Sequence, residues 1–216
     1  MKVEAVREYG GEVDFVDVKV KSRSDRVNGL AKRHPEAYVA SAYVDLLVIE
    51  GNSTLGRELA ALDYAFDSVI VPVGGGGLAA GIVTGIQRAG KKIDVIGAEP
   101  LMGNDAARSL RAGKIIANEQ EPQTIADGAR TVSLGHHNWE ILRTGLAGIV
   151  EVGEEEIKEG VRLLFHLANL KVEPTGALSV GALLAAPERF RGKSVCCVVS
   201  GGNVDPVVYA NIIAGQ

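Results

Sequence analysis

The chain has 216 residues and a mass of 22.7 kDa, with 46% apolar and 23% charged residues, which is enough for one sizeable core and short for two. Its 23 Lys and Arg against 27 Asp and Glu give a net charge of -4, and no basic run offers the phosphate-neutralising surface that nucleic-acid binding requires. Nucleic acid is therefore not an expected partner. The two cysteines, Cys196 and Cys197, are adjacent, which suits neither a disulfide framework nor metal-ligand spacing and points to a reducing cytoplasm. The uncharged stretch 68–87 is long enough to cross a bilayer, but Pro72 and the glycines at its centre would break a membrane helix. MKVEAVREYGGEV at the start carries charges every few positions and no apolar core, so it is no signal peptide.

In chain order, residues 1–9 read as an amphipathic half-helix, followed by Gly10-Gly11 and strands at 13–18 and 37–40. Next come a helix at 54–66, a strand at 68–73, a helix at 78–89, a strand at 94–98 and a helix at 105–112. A strand at 148–152, helices at 154–170 and 176–184, a strand at 194–199 and a helix at 206–213 complete the series. Short β-branched runs alternating with longer amphipathic ones predict strands joined by helical crossovers, hence an α/β fold. The helix from Glu154 is the most regular: Ile157, Val161, Leu164 and Ala168 recur on one face behind an acidic first turn. The opening half-helix has no preceding strand to return from, so further sequence upstream is expected.

The segment VIVPVGGGGLAAGI runs from a buried-type strand through Gly74, Gly75, Gly76 and Gly77 into a helix. Such glycines let successive backbone N–H groups converge on an anion, and the helix adds the positive end of its dipole, so phosphate is the expected ligand. A plain strand-to-helix turn rarely needs more than one or two glycines. The spacing Gly75, Gly77, Gly81 with Glu99 at the next strand end also keeps a dinucleotide-dependent oxidoreductase open. A dinucleotide site, however, needs neither the second glycine turn, Ser200-Gly201-Gly202-Asn203, nor the polar turn Glu173-Pro174-Thr175-Gly176. His136 and His137 are adjacent, unlike zinc ligands on one helix face, and are expected in a loop before Asn138 and Trp139. His34, His166, Lys21, Lys32, Lys91 and Lys92 read as solvated surface.

Six segments in sequence, EAVREYGGEV (4–13), VPVGGGGLAAGI (71–82), IGAEP (96–100), TIADG (124–128), VEPTGA (172–177) and VVSGGNVD (198–205), resemble the tryptophan-synthase-β-like superfamily of fold-type II pyridoxal-phosphate enzymes, and within it the serine/threonine dehydratase and serine racemase family. The resemblance implies a large doubly wound, mostly parallel α/β domain, here 42–216, with 1–41 a remnant of a small α/β domain. It implies that Gly74 to Gly77 hold the phosphate of pyridoxal phosphate and that the Ser200 hydroxyl bonds the pyridine nitrogen, a neutral partner that makes the ring a milder electron sink than a carboxylate would. It also implies a Mg²⁺ or Ca²⁺ site at Glu99, the Gly103 carbonyl and Asp105, hard oxygen donors suited to those ions. The alternative for Asp105 is a helix cap. The implied activity is β-elimination on a serine- or threonine-like amino acid, giving a 2-oxo acid and ammonia, with racemisation as a related outcome.

The sequence departs from the family at two places. The Ser-Phe-Lys-x-Arg-Gly-Ala segment with the aldimine lysine, and the Ser-x-Gly-Asn-His turn that grips the substrate carboxylate, do not occur. No catalytic residue is therefore assigned, and the chain alone is expected to be a truncated, inactive form, completed by a missing N-terminal segment or by homo-oligomerisation. Where many members read Ala-Gly-Gln-Gly-Thr, this chain reads Glu50-Gly51-Asn52-Ser53-Thr54, expected in a loop lining the passage between the domains. A non-catalytic phosphate- or metal-binding regulator is the third possibility.

Overall fold

The computed structural model describes residues 2–17, 20–41 and 43–215, and its contacts divide the chain into two compact units, Met1–Ser41 and Ala42–Gln216. The first unit holds helices α1 (Lys2–Glu8) and α2 (Arg23–Arg33), neither of which buries a residue. The Ser22 hydroxyl starts α2 by accepting from the Asp25 N–H at 3.1 Å, satisfying one of the amides every helix start leaves free. Arg26 ties the helix to the preceding segment by donating to Asp14 at 2.7 Å. The strands expected at 13–18 and 37–40 are not formed: residues 13–17 and 37–40 are irregular, and Val18 lies outside the described residues. The run Val13 to Asp17 has the β-branched and aromatic composition of a strand, but no neighbour pairs with it among the described residues, and an unpaired strand leaves its amides and carbonyls unsatisfied.

The second unit contains α3 (Leu46–Ala61), β1 (Ser68–Pro72), α4 (Gly77–Arg88), β2 (Asp94–Pro100), α5 (Asp105–Ala112), α6 (His136–Gly145) and β3 (Leu146–Val152). It continues with α7 (Glu154–Ala168), α8 (Leu178–Ala185), α9 (Pro187–Phe190), β4 (Val195–Cys197) and α10 (Pro206–Ile213). The strands form one parallel sheet in the order β3-β2-β1-β4. The chain winds outward from β1 to β3 and then returns to β4 on the other side of β1, so its winding reverses between β1 and β4.

Helices cover both faces, as a doubly wound sheet requires. Val69, Val71, Val73 and Val95 point into a core with Ile82 and Ile86 of α4 and Trp139 and Leu142 of α6. Ile70, Ile96, Val150 and Val152 point the other way, onto Ile157 of α7, Leu178 and Ala182 of α8 and Phe190 of α9. The adjacent cysteines obey the same alternation, Cys196 packing on the first core and Cys197 on the second. Both are free thiols.

Four further sequence expectations are corrected. α3 begins at Leu46 and not at Thr54, because the Asp45 carboxylate caps it by accepting from the Leu47 N–H at 2.8 Å. Glu50 to Thr54 are therefore helical and form no loop; the Ser53 and Thr54 hydroxyls donate back to the carbonyls of Glu50 and Gly51 at 2.7 Å. His136 and His137 form the exposed first turn of α6. α7 keeps Ile157, Val161 and Leu164 buried, but Ala168 is exposed, and the helix ends there because Asn169 takes a left-handed φ of 54°. Among the described residues no helix is long and apolar enough to cross a membrane.

Candidate functional site

Parallel α/β sheets bind ligands beyond the carboxyl ends of their strands, where the winding reverses. Here that place lies beyond β1 and β4. Ile70 stands opposite Cys197, and the Val198 N–H donates to the Ile70 carbonyl at 2.9 Å, so Gly74 to Gly77 and Ser200 leave neighbouring strands at the same end. Ser200 is exposed, and its hydroxyl makes no hydrogen bond among the described residues.

Packing dictates each glycine of the loop. A Cβ on Gly74 would lie 3.0 Å from Ala129 Cα, one on Gly75 would run into the Tyr43 ring, and one on Gly77 would stand 3.1 Å from the Tyr43 carbonyl oxygen. Gly76 adopts φ 91°, ψ 0°, a left-handed conformation that favours glycine. It precedes α4 with no side-chain cap, and the N–H groups of Gly74, Gly75 and Gly76 donate to no protein acceptor among the described residues. Free amides beside a helix start form a cradle for an anion.

The other sequence motifs converge on this cradle. Ala129, which follows TIADG, packs on Gly74, and the Thr175 hydroxyl of the VEPTG turn accepts from the Gly128 N–H at 2.9 Å. That turn meets the SGG loop in its own right: the Glu173 N–H donates to the Gly201 carbonyl at 3.0 Å, and a Cβ on Gly176 would lie 3.0 Å from the Gly201 N. Glu154, at the start of α7, anchors the TIADG segment by accepting from the Thr124 hydroxyl at 2.5 Å and the Ile125 N–H at 2.8 Å.

Glu99, Gly103 and Asp105 gather at the end of β2, all buried. The Glu99 oxygens accept from the Ala106 and Ala107 N–H groups of α5 at 2.8 and 2.9 Å. Glu99, and not Asp105, therefore supplies the side chain that satisfies the first turn of this helix. Asp105 accepts from the Asn118 amide at 3.0 Å through Oδ1, while Oδ2 is buried without a partner. Burial pushes the Glu99 carboxyl up to about 8 against the pull of the α5 amides, with the charge of Asp105 adding to the rise. Burial likewise raises Asp105 to about 7. Since Glu99 is only 1% exposed and bonded to α5, it presents no face to a ribose, and the dinucleotide fingerprint loses its acid.

Sequence reasoning missed Tyr43 and Asn138. The Tyr43 ring lies on Gly75, and its phenol is held above the usual range by burial and by the charge of Asp105. Asn138 is fully buried on α6 and reaches both segments, donating to the Tyr43 carbonyl at 2.7 Å and the Gly75 carbonyl at 2.6 Å. A polar residue between the apolar Trp139 and Leu134 was the available signal.

Fold and glycine loop together define a doubly wound α/β domain with unpartnered backbone amides at its switch point. The pattern of the family described as "Pyridoxal-phosphate dependent enzyme" matches residues 1–201, and the chain belongs to that family. It is 36% identical over 214 residues to the L-threo-3-hydroxyaspartate ammonia-lyase of Pseudomonas sp., covering 99% of this chain and 66% of the relative. To the serine racemase of Schizosaccharomyces pombe it is 34% identical over 215 residues, covering 99% and 65%. The crystal structure of T.th. threonine deaminase superposes with a TM-score of 0.87 at 39% identity, covering 94% of this chain and 66% of that one. That of maize serine racemase gives 0.88 at 30% identity, covering 100% and 68%. The chain thus spans just under two thirds of the length of the curated relatives it matches.

Proposed function

We propose that these residues form the phosphate- and ring-binding part of a pyridoxal-phosphate-dependent ammonia-lyase or racemase whose substrates are small β-hydroxy α-amino acids. The observation that carries this is the set of unpartnered N–H groups of Gly74 to Gly76, opening onto the same sheet end as the free Ser200 hydroxyl. Bound there, pyridoxal phosphate would supply an electron sink for negative charge at the amino acid's α-carbon. The chain's own residues would do the holding. Gly74 to Gly77 would bind the phosphate through backbone amides, and Ser200 would hydrogen-bond the pyridine nitrogen without fixing a full charge on it. The substrate class follows from what hydroxyaspartate, serine and threonine in the relatives' names share, an α-amino group and a β-hydroxyl. Elimination would release that hydroxyl as water, and hydrolysis would return the water and yield a 2-oxo acid and ammonia.

Asp105 Oδ2, buried without a partner near Glu99, is the oxygen that a hard divalent cation, Mg²⁺ or Ca²⁺, would relieve, with Glu99 and the Gly103 carbonyl as the further oxygen donors. The exposed apolar side chains Leu167, Leu170 and Val207 suit a further segment or a second copy packed against this unit.

None of the chain's lysines stands in the family's Ser-Phe-Lys-x-Arg-Gly-Ala context. With no group to move the α-proton, a loss of on the order of a hundredfold or more, and no covalent mounting for the cofactor, the chain by itself is expected to bind pyridoxal phosphate weakly and to turn over nothing. Fluorescence titration of the purified chain should show pyridoxal phosphate binding that inorganic phosphate displaces, with no 2-oxo acid formed from serine, threonine or 3-hydroxyaspartate. Binding that phosphate does not displace would refute the cradle. Sustained 2-oxo acid release would mean that one of the chain's own lysines fills the missing role.

A further inference from the structure

We propose that Asn138 is a positioning residue for the cradle: together with the Gly135 N–H it pins the Gly75 carbonyl and so turns the Gly76 N–H toward the bound anion. This rests on Gly74 to Gly77 being a phosphate site. The Gly75 oxygen accepts from the Gly135 N–H at 3.0 Å and from Asn138 Nδ2 at 2.6 Å. The second proton of that nitrogen goes to the Tyr43 carbonyl at 2.7 Å, so one amide fixes the loop to the segment lying over it.

In a trans peptide the C=O and N–H point in opposite directions, and no cis bond occurs among the described residues. With its carbonyl held toward the start of α6, the Gly75–Gly76 peptide must present its N–H on the opposite side. That N–H has no protein acceptor among the described residues, although Gly76 is buried. A lock is needed because both flanking residues are glycines, for which a flipped peptide plane meets little steric resistance.

The orientation of the amide is dictated by its surroundings, since rotating it would set an oxygen against two carbonyls. Asn138 Oδ1 is buried without a partner, a cost that a leucine of similar size would avoid. What the position supplies is therefore its two donors.

The test uses the full 216-residue chain and three probes: inorganic phosphate, pyridoxal phosphate, and pyridoxal as the phosphate-free control. Asn138→Asp at pH 8 keeps the shape and exchanges the donor for an acceptor; Asn138→Leu removes both. Each should weaken inorganic phosphate and pyridoxal phosphate about ten- to hundredfold, the worth of one charge-assisted hydrogen bond, and leave pyridoxal unchanged. Unchanged phosphate affinity in a folded variant, or an equal loss for pyridoxal, overturns the assignment. Should the variants fail to fold, the unmutated chain decides: on phosphate addition the Gly76 amide proton resonance must shift, and a static Gly76 beside shifting Gly75 or Gly77 overturns it. If the unmutated chain binds no phosphate, the site itself is wrong and this inference falls with it.

Discussion

Freed of divalent cations, the chain should lose stability steadily as the pH rises from about 5 to about 8, and millimolar Mg²⁺ or Ca²⁺ should restore it at the upper end. Glu99 and Asp105 have folded-state values of about 8 and about 7, raised above their usual carboxylate values by burial. Between the unfolded and folded values the native chain holds protons that the unfolded chain has released, so stability must fall with rising pH. At 1.36 kcal/mol per pKa unit, the limit is on the order of 4 kcal/mol per carboxyl, and less for the two together because protonating one relieves the other. The arginine-paired carboxylates Asp14, Glu50, Glu151 and Glu188 have lowered values. Their contributions are lost only as pH falls below the ordinary carboxylate range, outside the window in which the buried pair acts. Asp105→Asn should melt higher than the parent chain at pH 8 in chelator and should no longer respond to cation. Melting midpoints that stay level from pH 5 to 8 would mean that these carboxyls are solvated. A fall that cations leave unreversed would keep the burial and discard the metal site.

The parallel sheet was legible because its strands, buried on both faces, read as unbroken apolar runs between amphipathic helices. The close approach at Gly74 to Gly77 was legible because a strand, four glycines and a helix have little else to do than approach something closely. What failed was local sequence without local cause. Val13 to Asp17 carries the β-branched and aromatic residues of a strand, yet pairing depends on a neighbour that no window of sequence contains. The stretch Leu46 to Ser53 looks like a short apolar run followed by a turn, and becomes helix because Ile49, Ser53 and Gly56 are buried in α3's contact with α4. Tyr43 and Asn138 escaped notice because they reach the glycine loop only through the fold, Asn138 lying 63 residues from Gly75 in the chain. The Glu99 and Asp105 pair was singled out by resemblance. Its division of labour, one carboxylate receiving α5's amides and the other left with a bare oxygen, is a property of burial that residue identity does not carry.

Gly85→Ala should destabilise the chain by about 2 kcal/mol or more, lowering its midpoint by roughly 4 to 8 °C for a domain of this size, although alanine is the better helix former. Propensity favours the substitution by about 1 kcal/mol in a helix interior. Against it stands the crossing of α3 and α4, where a Cβ on Gly85 would lie 2.8 Å from both the Arg57 N and the Gly56 Cα and nearer still to the Ser53 carbonyl. All three are backbone atoms, so no rotamer change can make room and the helices must part. α4 starts at Gly77, and any shift along it reaches the cradle, so phosphate affinity should fall with stability. Gly51→Ala is the matched control. It lies on the exposed side of α3 with nothing within 4 Å of the added carbon, and should stabilise by about 0.4 to 1 kcal/mol. Opposite signs in the two melting curves would show that backbone contact, and not glycine's entropy, governs this crossing; a rise in both would mean that α3 and α4 stand further apart than the glycines imply.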